Sequence, residues 1–117
     1  MNRPLIVATV AFSLLLPQFN NVDAASPYDG EWTGAATSTD GQCKRAAVKL
    51  TVEGQVVLGQ ARFERGAPNI NGTVDEDGAF GATVGFRPFR GKFFRDRFEG
   101  TFKIFDCEWK ALLKRTR

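Results

Sequence analysis

Phe98-Glu99-Gly100-Thr101-Phe102-Lys103-Ile104-Phe105-Asp106-Cys107-Glu108-Trp109-Lys110-Ala111-Leu112-Leu113-Lys114 decides the fold class. Phe98, Phe102 and Ile104 alternate with Glu99, Thr101 and Lys103. Trp109, Ala111 and Leu113 then alternate with Lys110, Leu112 and Lys114. A period of two places every second side chain on one face, so each half reads as a strand with one buried side. The few residues between them leave room only for a tight reversal, which makes the pair antiparallel.

The same rhythm recurs upstream. Val48, Leu50 and Val52 oppose Lys49, Thr51 and Glu53, and Phe80, Ala82, Val84 and Phe86 oppose Gly81, Thr83, Gly85 and Arg87. Glu53-Gly54 and Asp77-Gly78 are hairpin punctuation, with glycine free to take positive φ. Gly66-Ala67-Pro68-Asn69, Arg87-Pro88 and Arg95-Asp96-Arg97 supply further breaks. Eight strands follow, over 30–37, 44–53, 55–65, 69–75, 79–86, 89–94, 98–105 and 108–115. Glycine recurs from Gly30 to Gly100 and costs about 1 kcal/mol inside a helix, which argues against helices. Gly59, Gly72, Gly81, Gly85, Gly91 and Gly100 are expected where a strongly curved sheet would crowd a side chain.

Short loops in series make an all-β antiparallel meander. Alternate loops of a meander lie at one end, so Cys43 and Cys107 fall together and can bridge. A bridge between the first and last loops requires the sheet to roll up until its edges meet, which predicts an eight-stranded barrel. Trp32 and Trp109 would then flank the seam from inside. A two-sheet sandwich carrying the same bridge is the alternative. Metal-binding thiols are disfavoured because the chain has no histidine.

Residues 1–24 carry the marks of an export signal. Met1-Asn2-Arg3 is basic, Leu5 to Leu16 is an apolar run, Pro17 ends it, and Val22-Asp23-Ala24 offers a cleavage site. Cleavage after Ala24 would leave residues 25–117 as a single domain, periplasmic or secreted, where a disulfide persists. The run is too short for a transmembrane segment. The net charge of +3 is mild and excludes a dedicated nucleic-acid binder.

Chemistry is sparse. Without histidine the commonest general base and metal ligand is missing. Ser26 and Ser38, the only serines beyond the signal, lie outside any nucleophile motif. Asp75-Glu76-Asp77-Gly78 lacks the spaced ligands of a calcium loop and reads as an acidic turn. Asn71-Gly72-Thr73 fits the glycosylation triplet of a eukaryotic secretory route. No catalytic residue, metal site or cofactor is assigned, and the expectation is a non-enzymatic binding module. The bridged end should gather Lys44, Arg45, Arg65, Arg87 and Arg90 into a nearly all-positive rim for an anionic ligand: lipid, polysaccharide or an acidic surface of a periplasmic protein. Loop charges that only keep a small domain soluble are the competing explanation. The many phenylalanines either line a pocket for an apolar ligand or fill the core, and the short chain favours the core. Phe94 and Phe105 fall out of phase and, if exposed, would form an apolar patch beside Arg95 and Lys103.

Asp29-Gly30-Glu31-Trp32-Thr33-Gly34, then Cys43, then Cys107-Glu108-Trp109-Lys110-Ala111-Leu112, resembles a pattern in small exported bacterial β-domain proteins of uncharacterised function. In size, export and bridge the chain is more distantly similar to the bacterial periplasmic protease and lysozyme inhibitors built on eight-stranded barrels. The first resemblance implies a periplasmic or secreted β domain. The second implies an alternative function, inhibition of or interaction with another protein.

Overall fold

In the computed structural model, residues 26–117 are described; residues 1–24, expected to be an export signal, lie outside them. Eight strands follow one another: β1 (Gly30–Ser38), β2 (Ala46–Glu53), β3 (Val56–Arg62), β4 (Asn69–Val74), β5 (Ala79–Val84), β6 (Arg87–Phe93), β7 (Arg97–Ile104) and β8 (Cys107–Arg115). Each pairs antiparallel with the next, and β1 pairs antiparallel with β8, so the sheet is a closed barrel. Closure leaves no strand edge exposed. The seam runs from Trp32 opposite Arg115 to Ser38 opposite Trp109. At its upper end Cys43 is bonded to Cys107, with Cα atoms 6.4 Å apart. The sandwich alternative is excluded by this pairing.

Alternation holds along the walls. In β2, Val48, Leu50 and Val52 are buried while Ala47, Lys49 and Glu53 are exposed. In β8, Trp109, Ala111 and Leu113 point in, and Lys110, Leu112 and Lys114 point out. The interior is an aromatic ladder. Phe80 meets Phe98 edge-on at 5.0 Å and Phe89 at 4.9 Å, and Phe89 meets Phe102 at 4.8 Å. Edge-to-face pairs add about 0.5–1.5 kcal/mol each beyond the burial of their area. Phe80, Phe89, Phe93, Phe98 and Phe102 are all at most 4% exposed. These five phenylalanines are therefore core, as the chain's length favours, and the axis is filled by rings.

Two tryptophans close the ends of that ladder. The Trp32 indole donates to the Tyr28 carbonyl at 2.9 Å, and the Trp109 indole to the Ile104 carbonyl at 3.0 Å. Each buried donor is satisfied by backbone at its own mouth. Gly91 and Gly100 face each other across β6 and β7. A Cβ at Gly100 would stand 2.7 Å from Phe89 Cε1 and 2.8 Å from Phe98 Cζ. This is the crowding expected of the interior glycines; the exceptions are Gly81, with open space around it, and Gly85, which lies in the β5–β6 turn with only Pro68 Cβ at 3.4 Å.

The largest departure from the sequence reading is at the β5–β6 turn. Gly85-Phe86 makes the reversal, so Val84 pairs with Arg87 and Pro88 lies inside β6 opposite Thr83. Proline is tolerated there because pairing with β7 begins one residue later, at Phe89 opposite Phe102. Phe86 consequently leaves the inward series and is 98% exposed. Phe94 and Phe105 do not form one patch, because they sit in the loops at opposite ends of β7. Phe94 lies under the Arg97 guanidinium at 4.0 Å, and Phe105 packs on Phe63 at 5.1 Å.

Candidate functional site

With the axis filled, recognition is left to the outer surface and the mouths. The bridged mouth is built from the loops after β1, β3, β5 and β7. Around it the five cations expected to act together separate into two settings. Lys44 and Arg65 border a depression of about 480 Å³ over the disulfide, with Phe63, Phe105 and Trp109 at its floor. Lys44 is tied to Glu64 at 3.0 Å. The Arg65 guanidinium stands 5.2 Å from the Phe105 ring centroid. Arg45 is exposed between the disulfide and β2.

Arg87 and Arg90 stand on the other flank. They border a groove of about 310 Å³ on the outside of β6 and β7, together with Lys103 and Glu108. Arg90 projects from mid-strand opposite Gly81 and Thr101. Arg87 crosses to β7 and donates from Nε to the Lys103 carbonyl at 3.3 Å. Lys103 sits on β7 opposite Glu108 of β8. Sequence reasoning placed Lys103 only beside a hydrophobic patch. Its membership of this groove depends on the β6–β7 register, which no local motif records.

The mouth is mixed rather than nearly all positive. Asp40, Glu64, Asp106 and Glu108 share it, because the turns that carry the cations carry carboxylates as well. The Arg87–Arg90–Lys103 groove sets three cations against Glu108, and Arg87 and Lys103 also border the adjoining depression that holds Asp40 and Asp106. Guanidinium groups suit planar carboxylate and the oxygens of phosphate or sulfate by paired N–H donation.

The turn at the opposite mouth has a structural assignment. Asp75 Oδ1 accepts the backbone N–H groups of Asp77 and Ala79, both at 2.9 Å. That carboxylate caps its own hairpin. Among the described residues, no group of three or more His, Cys, Asp or Glu side chains is placed to hold a metal ion, and no helix is long and apolar enough to cross a membrane.

Compared with known proteins, the chain matches no family model, no curated protein and no solved structure.

Proposed function

We propose that this chain is an exported, non-enzymatic binding module that engages an anionic partner through the outer groove of Arg87, Arg90 and Lys103. One observation carries the reading: the barrel axis is occupied by its own rings, while three cations converge on an open groove beside the bridged mouth. The disulfide suits the periplasmic or secreted location implied by residues 1–24. The histidine-free sequence and the lack of a serine nucleophile motif support binding over catalysis. Attraction between exposed charges is screened by salt, so the interaction is salt-sensitive and its gain lies in encounter rate and orientation.

The test uses heparin and phosphatidylglycerol vesicles as anionic probes, titrated at low and physiological salt. The triple variant R87Q/R90Q/K103Q loses most of the wild-type affinity, while K44Q, whose cation is engaged by Glu64, changes little. Equal binding by wild type and the triple variant would end this reading.

A further inference from the structure

Phe86 is the most exposed large apolar side chain of the described residues, at 98%. The turn does not need it. Gly85 takes φ +61°, the first position of a two-residue hairpin turn of the kind that demands glycine there, and the second position accepts any small polar residue. Phe86 touches nothing that would reward its exposure. The backbone on either side of it is braced. The Gly85 N–H donates to the Asn69 carbonyl at 2.9 Å on one side, and Arg87 is pinned to the Lys103 carbonyl on the other. An aromatic carried on a braced backbone gives up little main-chain freedom on docking, which favours a binding anchor.

Resting on the groove reading above, we infer that Phe86 is the anchor of a protein-binding site: its ring enters an apolar pocket of a partner protein whose rim is acidic and meets Arg87, Arg90 and Lys103. Charge and size select a protein over a bilayer. One phenylalanine contributes about 1.5–3 kcal/mol on burial, short of stable membrane anchoring by a single apolar group. A flat anionic membrane pressed on this mouth would also meet Asp40, Glu64, Asp106 and Glu108. A pocket that takes only the β5–β6 tip and the β6 wall beside Arg90 leaves out Glu64, while Asp40, Asp106 and Glu108 adjoin Arg87 and Lys103.

The experiment replaces Phe86 with the photo-crosslinker p-benzoylphenylalanine, and in a control chain replaces Leu58, which is half exposed on the wall of β3. Both are irradiated with the host's exported proteins. The protein joined at position 86 but not at 58 is identified, purified and titrated with wild type, F86A, F86W and R87Q/R90Q/K103Q. We expect F86A to weaken binding by on the order of 30-fold or more. F86W keeps binding within several-fold, and the melting temperature of F86A is unchanged because the ring is already in water. Equal affinity of F86A and wild type overturns the anchor, as does the absence of a crosslink specific to position 86. Loss by F86A of binding to phosphatidylglycerol vesicles, with no protein crosslinked, assigns the tip to lipid and also overturns it. If the triple variant still loses heparin binding while F86A keeps full affinity for the partner, only the anchor fails. If the triple variant binds heparin as wild type does, the groove reading fails with it.

Discussion

The Arg115 guanidinium lies over the Trp32 indole, 4.6 Å from the ring centroid, across the seam pair that these two residues form. The same guanidinium donates to the carbonyls of Pro27, Asp29 and Arg95, at 2.6, 3.3 and 3.0 Å. One side chain therefore ties the entry to β1, the β6–β7 loop and the last strand into one floor for the barrel. Tyr28 completes the floor by packing on Phe93 at 5.7 Å.

Arg115→Ala removes a cation–π contact and three charge-assisted hydrogen bonds and should cost about 2–3 kcal/mol. Arg115→Lys should recover little, because a single ammonium cannot cover the ring and reach three carbonyls at once. Urea titration followed by tryptophan fluorescence reads both, and an Arg115→Lys variant as stable as wild type would remove the planar fork from the explanation.

Removal of the bridge should leave the barrel folded. The seam holds seven register pairs of its own between β1 and β8, so Cys43→Ala with Cys107→Ala keeps the fold. The lost cross-link, spanning 64 positions, lowers stability by up to about 4 kcal/mol by chain entropy. Far-ultraviolet circular dichroism should be unchanged and the urea midpoint should fall. Loss of the β spectrum at room temperature would show that the seam depends on the cross-link.

Gly100→Ala puts a methyl group against Phe89 Cε1 and Phe98 Cζ and should cost about 1–3 kcal/mol by overpacking. The same change at Gly81, where a Cβ meets nothing within 4 Å, should be neutral or mildly stabilising. The difference between the two midpoints isolates crowding from the general effect of replacing glycine.

Asp106 adopts φ +62° in the β7–β8 turn, following Phe105 at φ +56°. Positive φ at both central positions is the geometry that Asn-Gly satisfies best. Asp106→Gly should therefore stabilise the fold, by about 0.5–1 kcal/mol once the greater freedom of glycine in the unfolded chain is subtracted. Thermal unfolding reads the gain, and a lower melting temperature would show that the Asp106 side chain contributes a contact that outweighs backbone strain.

Legibility in the sequence varied with how local the cause was. The strand walls were legible because Val48, Leu50 and Val52, or Trp109, Ala111 and Leu113, carry their facing in a period of two. The Gly85-Phe86 reversal was not. Phe86 continues the inward period set by Phe80, Ala82 and Val84, and Pro88 looked like the stronger break. Gly85 at φ +61° makes the turn, but Pro88 can sit within β6 only because pairing with β7 starts at Phe89, a relation between residues far apart along the chain. The cationic groove was half legible for the same reason. Arg87 and Arg90 share one strand, whereas Lys103 joins them only through the β6–β7 neighbourhood, and Glu64 reaches from the β3–β4 loop to the β1–β2 loop to pair with Lys44.

Alternation, turn chemistry and the placing of two cysteines in the first and last loops were enough to specify a rolled antiparallel sheet, because these act through nearest neighbours and loop parity. Which cations stand together, which carboxylates intrude, and that one phenylalanine is turned from core to tip were decided only in three dimensions. Those outcomes depend on strand register and on the packing of rings around a shared axis, where each side chain's surroundings come from strands distant in sequence.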